Sequence, residues 1–146
     1  MKYLIKINLL ILAALLLAAC SSNNSGKVHQ ASITVQTGAK LNPNSRGRPS
    51  PVAITLYQLK DKTKFSNATY RGLIFSTKKT LASDLVKEQK FVIAPSRKVM
   101  KQWSLAKDVR YIGVVVSYHH LSRHEWRAII PMNTSSGENK IDIHLK

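Results

Sequence analysis

The chain has 146 residues, and its 23 Lys and Arg residues against seven Asp and Glu residues give a formal charge of +16 at pH 7. This length fits one domain, and the charge favours acidic partners such as nucleic acid, anionic lipid headgroups or an acidic protein surface. Seven acidic residues disfavour a hydrolase built on paired carboxylates, and the sequence contains no Gly-x-Ser-x-Gly, P-loop or dinucleotide-binding glycine motif.

The first 19 residues have the composition of a secretory signal peptide. Lys2 and Lys6 precede an apolar run that is shorter than the roughly 20 residues a membrane-spanning helix needs. The run ends in the tetrapeptide LAAC, which matches the bacterial lipobox, whose cysteine receives a diacylglyceryl thioether and becomes the new N-terminus. We therefore predict a signal peptide over residues 1–19 and lipidation of Cys20.

Residues 20–27 are predicted to form a lipidated, flexible tether rich in Ser and Asn. Cys20 is the only cysteine, so the lipid consumes the one thiol, and the three acyl chains of a mature bacterial lipoprotein exceed the two that stable anchoring takes. Ser21 rather than Asp after the cysteine implies, as in lipoproteins of two-membrane bacteria, an anchor in the outer membrane that faces the periplasm. Export disfavours nucleic acid as a partner. Removal of the leader takes Lys2 and Lys6 with it, so the mature chain keeps a formal charge of +14.

From residue 28 to residue 146 the apolar side chains recur mostly at every second position, the period of a strand with one buried face. Residues 52–59 are apolar on both faces, as in a central strand, and residues 111–118 form a continuous β-branched run. The other alternating runs contain Ala31, Ile33 and Val35; Phe91 to Ala94; Val99, Trp103 and Leu105; Trp126, Ala128 and Ile130; and Ile141, Ile143 and Leu145. Seven short strands separated by turn residues predict a mainly β domain, a β-sandwich, over residues 28–146.

One segment, at about residues 65–86, breaks the period of two. Apolar residues from Phe65 to Leu85 recur there at helical spacing, and Ser66 behind Phe65 is a candidate N-cap. Gly72 and the Ser76-Thr77 pair favour two short helices over one long helix. We predict a small helical insertion into the sandwich.

Residues 41–51, LNPNSRGRPSP, contain three prolines, one glycine and two arginines and exclude a regular helix or strand. Prolines stiffen a loop, so that it loses less entropy when it docks, and arginine makes bidentate contacts to carboxylates that lysine cannot reproduce. Two interpretations stay open on the residues alone. The segment is either a rigid crossover with solvated charges or a partner-binding loop.

The segment SYHHLSRHEW holds the only cluster of metal-ligand side chains, namely His119, His120, His124 and Glu125. An HExxH motif is absent, and the cluster follows the end of a predicted strand, so an exposed polar turn is favoured over a metal site. The roles of the three histidines stay open. We predict no metal and no cofactor other than the covalent lipid, and we expect both tryptophans to pack in the core or at its rim.

Several stretches, in order behind the lipobox, resemble a known family: SITVQTGAKLNPNSRGRPSPVAITLYQLKD, then DLV and KFVIAPSRK, then YIGVVVSYHHLSRHEWRAII. The chain resembles the TssJ (SciN) family of outer-membrane lipoproteins of the bacterial type VI secretion system, and the resemblance runs from Ile33 to Leu145. It implies a transthyretin-like β-sandwich with an added helical element and a non-catalytic role.

The resemblance also implies a partner and a contact. Members of this family hold the membrane complex of the secretion machine at the outer membrane by binding the periplasmic C-terminal region of the inner-membrane protein TssM, and the loop between the first two strands is the contact usually singled out. The basic character of this loop here is a departure that the family does not imply. The expected partner-binding loop consists of Leu41, Asn42, Pro43, Asn44, Ser45, Arg46, Gly47, Arg48, Pro49, Ser50 and Pro51.

A function of another class stays open beside this one. The basic surface would suit an envelope binding module that recognises an anionic ligand such as lipopolysaccharide, with no machine attached. A hydrolase of the cell wall is the weakest hypothesis. The two leading hypotheses both expect a protein that is not an enzyme and that has no nucleic-acid partner and no small-molecule substrate.

Overall fold

The computed structural model describes residues 29–133 and 138–146, so the predicted signal peptide, Cys20 and the tether lie outside the described residues. Seven strands form two sheets, with strand order β4-β1-β7 in one and β3-β2-β5-β6 in the other. β1 and β7 are parallel, and the other pairs are antiparallel. This architecture confirms the predicted β-sandwich. The strands are β1 (His29–Thr37), β2 (Val52–Leu59), β3 (Leu85–Ile93), β4 (Lys98–Leu105), β5 (Tyr111–Ser117), β6 (Arg127–Pro131) and β7 (Glu138–Leu145).

The main core lies between the two sheets and is built by the alternation seen in the sequence. Every second side chain of β1 is buried, and these side chains belong to the same cluster as the inward-facing residues of β2 and β5. Trp103 is 5% exposed within this core, and Trp126 packs against its rim, as expected for both tryptophans. Each large aliphatic or aromatic side chain buried in this way contributes about 1.5–3 kcal/mol.

A second, smaller core covers the outer face of the four-stranded sheet. Three short helices lie on this face: α1 (Thr63–Asn67), α2 (Tyr70–Phe75) and α3 (Thr77–Leu81), followed by a single 3₁₀ turn, Ala82–Asp84. Their buried residues Phe65, Leu73 and Leu81 pack against Tyr57 and Val115 of the sheet. β2 is therefore buried on both faces between β3 and β5, as its apolar run predicted.

Two contacts of aromatic side chains help to fix the helices to the sheet. The ring of Phe65 lies over Gly113, where a Cβ atom would come 2.6 Å from Cε2 of that ring. The hydroxyl of Tyr57 donates to the carbonyl of Leu73 at 2.9 Å, and burial raises the pKa of Tyr57 to about 12. Glycine is therefore required at position 113 because the aromatic ring occupies the space that a side chain would take.

Three details of the helical insertion differ from the prediction. Ser66 lies inside α1 instead of capping it, whereas Thr69 caps α2 by accepting a hydrogen bond from the N–H of Gly72 at 3.1 Å. The segment contains three short helices and a 3₁₀ turn instead of two helices. Leu85 already belongs to β3, because its backbone pairs with Leu59 and the ladder outweighs the helical spacing of its side chain.

The strand directions bring three connections to the same end of the sandwich, called the loop end below. It comprises residues 38–51 after β1, residues 94–97 between β3 and β4, and residues 118–126 after β5. The pairing of Gln36 with Lys98 and of Ala53 with Ser117 fixes this arrangement. The first residue of β1, His29, pairs with Leu105 at the opposite end. None of the helices in the described part of the chain is long and apolar enough to span a membrane.

Candidate partner-binding loop and the end of the sandwich that carries it

The loop of residues 41–51 has no helix or strand, yet hydrogen bonds across it hold its shape. The N–H of Ser50 donates to the carbonyl of Leu41 at 3.0 Å, and the N–H of Asn44 donates to the carbonyl of Arg48 at 2.9 Å. The N–H of Gly47 closes a tighter turn by donating to the carbonyl of Asn44 at 2.9 Å. The two arms of the loop therefore run side by side and project a compact tip.

The base of the loop is part of the domain interior. Leu41 is fully buried in the main core, and Asn42 is 3% exposed. The amide of Asn42 joins three segments: its Nδ2 donates to the carbonyl of Pro51 at 2.8 Å, and its Oδ1 accepts from the N–H of His119 at 2.8 Å. The hydroxyl of Ser50 donates to the carbonyl of Asn42. Asn42 adopts a φ of 47°, which asparagine tolerates better than most residues.

The tip of the loop, Ser45–Pro49, is exposed to solvent. Oδ1 of Asn44 accepts from the N–H groups of Arg46 and Arg48, both at 3.0 Å, so one side chain organises the turn between the two arginines. Gly47 has a φ of 70°, a conformation that glycine adopts without steric cost. Both arginine side chains are free to meet a partner on a backbone that is already ordered.

The eleven residues of the predicted loop therefore divide into three groups by exposure. Leu41 and Asn42 are buried and support the loop from below, so they are not available for direct contact. Pro43, Asn44 and Ser50 are partly exposed, whereas the tip and Pro51 are exposed. Any contact by this loop would be made by its tip.

The histidine-rich segment after β5 lies directly beside the base of the loop, because His119 donates its N–H to Asn42. His119 and His120 are exposed, whereas His124 stacks on the ring of Tyr118 with 4.3 Å between ring centroids. Burial raises the pKa of Tyr118. Among the described residues, no three His, Cys, Asp or Glu side chains are grouped so that they could hold a metal ion.

The turn between β3 and β4 is tied to the same end through Thr37. The hydroxyl of Thr37 donates to the carbonyl of Ala94 at 2.8 Å and accepts from the N–H of Arg97 at 2.9 Å, and Thr37 itself is 7% exposed. The N–H of Ser96 donates to the carbonyl of Gly38 at 3.2 Å. These contacts fix the position of the turn relative to the start of the loop.

No pattern in the sequence marks Thr37, Arg97 or the structural role of Asn42. The contacts of Thr37 and Asn42 join residues 57 and 77 positions apart, and no local pattern marks such pairs. Asn42 belongs to the sequence LNPN, which predicts a turn but does not indicate the segment against which this turn packs.

The chain matches a known family over most of its length. The family model T6SS-SciN, described as type VI secretion lipoprotein, VasD, EvfM, TssJ, matches residues 29–146. A comparison with curated proteins gives no match.

Solved structures share the fold. The crystal structure of the T6SS lipoprotein TssJ1 from Pseudomonas aeruginosa is 28% identical with a TM-score of 0.78, and the alignment covers 82% of this chain and 90% of that one. Serratia marcescens Lip, described as a membrane bound component of the type VI secretion system, is 22% identical with a TM-score of 0.71, covering 82% and 95%. A chain in a structure described as the T6SS protein TssM C-terminal domain from EAEC is 18% identical with a TM-score of 0.66, covering 82% and 97%.

Proposed function

The chain belongs to the type VI secretion lipoprotein family, and we propose that it holds the membrane complex of that machine at the outer membrane. In this proposal Cys20 carries the lipid, and the exposed tip Ser45–Pro49 binds the periplasmic C-terminal region of TssM. Because the family consists of structural lipoproteins, the chain is not an enzyme.

The observation that carries the proposal is the placement of the loop relative to the tether. β1 has nine residues, so about 27–30 Å separate its first residue, His29, from the loop end. Nine residues lead from Cys20 to Val28, and a chain of their composition has an average span of about 15–18 Å. With this geometry, a domain anchored through Cys20 can present its loop end on the side away from the membrane, toward a partner that reaches across the periplasm.

The internal order of the loop supports binding by the tip. Fixing the backbone of a residue costs about 1–2 kcal/mol, and the hydrogen bonds within residues 41–51 hold much of this backbone in place before any partner arrives. Preorganisation of this kind leaves more of the contact energy for affinity. Members of the family whose description places them in the secretion machine share the same sandwich.

The competing function, an envelope module that binds an anionic ligand such as lipopolysaccharide, is favoured by one observation, the excess of 23 basic over seven acidic residues. This function needs charge but not the shape of the loop tip. The two proposals therefore differ in their response to a change of the tip alone.

The test is a replacement of Ser45–Pro49 by a Gly/Ser segment of equal length in the full-length chain, which leaves Leu41, Asn42 and Asn44 in place. The variant is expected to remain folded and lipidated but to lose co-purification with the periplasmic region of TssM. A matched change at the opposite end, Lys107→Gly plus Asp108→Ser in the exposed turn after β4, should retain the partner. Retention of TssM by the folded tip variant would reject the loop as the contact.

A further inference from the structure

Positive charge at the loop end is not confined to the predicted loop. The exposed cations come from the start of the loop, from its tip and from the turn between β3 and β4; they are Lys40, Arg46, Arg48, Arg97 and Lys98. In the sequence, six Lys and Arg residues but only one acidic residue, Glu125, lie in the segments of this end, which are residues 38–51, 94–98 and 118–126. The loop end is therefore strongly electropositive.

This charge is built on a rigid frame. Arg97 follows a turn whose backbone is bonded to Thr37 from both sides, and Lys98 pairs with Gln36 at the start of β4. Asn42 ties the loop to the segment after β5. Because these contacts involve backbone groups and buried side chains, the backbone that carries these five cations is held in place while their side chains stay exposed.

The acidic residues are concentrated elsewhere. Four of the seven lie at or near the opposite end, and Asp84 and Asp108 pair there with lysines; the four are Asp61, Asp84, Asp108 and Glu138. Lys60 Nζ lies 2.7 Å from Oδ2 of Asp108, and Lys64 Nζ lies 3.3 Å from Oδ2 of Asp84. These two ion pairs lie at the end where β1 begins, and neither of them involves a cation of the loop end.

We infer that the loop end as a whole, and not the loop of residues 41–51 alone, is the docking surface, and that it takes an acidic surface of a protein. This inference rests on the proposed function, which supplies the partner. An anionic lipid is the weaker fit, because the proposed anchor joins the domain next to His29, about one strand length away from these cations. Charges of this kind act over about 8 Å at physiological salt, so they serve to orient and accelerate docking.

The experiment uses charge reversals outside the loop. Arg97→Glu plus Lys98→Glu changes two exposed side chains and keeps the backbone bonds of the turn, whereas Lys78→Glu plus Lys79→Glu changes an equally adjacent and exposed pair on α3. The periplasmic C-terminal region of TssM is titrated against each full-length lipoprotein in detergent at low and at physiological salt. The near-ultraviolet circular dichroism of each variant reports whether the fold is kept.

The variant at residues 97 and 98 should bind about tenfold more weakly at low salt and show a shallower salt dependence, because two attractive charges of the docking surface become repulsive. At physiological salt the control pair should stay within about twofold of the wild type, since long-range effects of distant charges are screened there.

Equal affinity of the wild type and the folded Arg97→Glu, Lys98→Glu variant would overturn the inference. If replacement of the loop tip still abolished binding, the proposed function would stand. A wild type that does not bind TssM at either salt concentration would overturn both. In a further arm, Cys20→Ser protein with and without the two reversals is mixed with phosphatidylglycerol vesicles. Loss of vesicle binding with unchanged TssM affinity would assign the surface to lipid and overturn the inference.

Discussion

Asn42→Ala is expected to damage both the stability of the domain and the affinity of its loop. The side chain is buried and makes two hydrogen bonds at 2.8 Å, one to the carbonyl of Pro51 and one from the N–H of His119. Alanine removes both bonds and also has to adopt the positive φ of 47° at this position. The change therefore affects the interior of the loop end rather than its contact surface.

The expected loss of unfolding free energy is about 2–4 kcal/mol. Each hydrogen bond contributes about 0.5–1.5 kcal/mol, and more is lost where a buried partner group is left without a bond. The left-handed conformation costs an alanine about 1–2 kcal/mol relative to glycine. Asn42→Gly should therefore lose the hydrogen bonds without this strain, and the difference between the Ala and Gly variants should measure the strain.

The measurement is urea unfolding of the chain without its leader, followed by the fluorescence of the tryptophans, of which Trp103 is 5% exposed. Asn44→Ala is the matched control, because its side chain also makes two hydrogen bonds to the backbone, but next to the exposed tip, where water can replace it. It should lose less than about 1 kcal/mol of stability and still weaken binding of the TssM fragment, because it releases the turn that carries Arg46 and Arg48.

An unchanged urea midpoint in Asn42→Ala would refute the reasoning, since it would mean that the buried amide does not hold the loop. An Asn44→Ala variant as unstable as Asn42→Ala would also contradict it, because burial would then make no difference. If Asn42→Ala is stable and still binds the TssM fragment with full affinity, the buried base of the loop does not contribute to docking.

Three further outcomes are expected. Labelled palmitate should enter the wild-type chain but not Cys20→Ser, and equal labelling of both would reject the lipobox. Tyr57→Phe should lose about 1 kcal/mol at pH 7 through its bond to Leu73. Because burial raises the pKa of Tyr57 to about 12, the folded chain holds this proton more tightly than the unfolded chain, so stability should fall between about pH 10 and 12, less steeply in the Phe variant. Gly113→Ala should lower the free energy of unfolding by about 1–3 kcal/mol in denaturant, because its Cβ would lie 2.6 Å from the ring of Phe65. The double variant Gly113→Ala, Phe65→Leu should lose less stability than the sum of the losses of the two single variants.

The sequence by itself determined the strands, the central position of β2 and the existence of a stiff cationic loop. The period of two in the apolar residues is a local property of the chain, and every second residue of β1 is buried as that period requires. Residues 52–59 are apolar on both faces because β2 lies between a main core on one side and the helical segment on the other. The prolines of residues 41–51 likewise lack the backbone N–H that pairing with a neighbouring strand requires, wherever the fold places them.

Only the tertiary structure decided which loop residues face solvent and which charges act together. Leu41 and Asn42 belong to a polar, proline-rich segment, yet both are buried. The reason is that β1 and β2 belong to different sheets, so that the segment connecting them passes over the end of the core. Leu85 has the spacing of a helix but pairs with Leu59 as the first residue of the edge strand β3. Strand order decides which distant residues meet, as in the hydrogen bonds between Asn42 and His119 and between Thr37 and Arg97. No local pattern specifies this order, because it results from long-range pairing of strands.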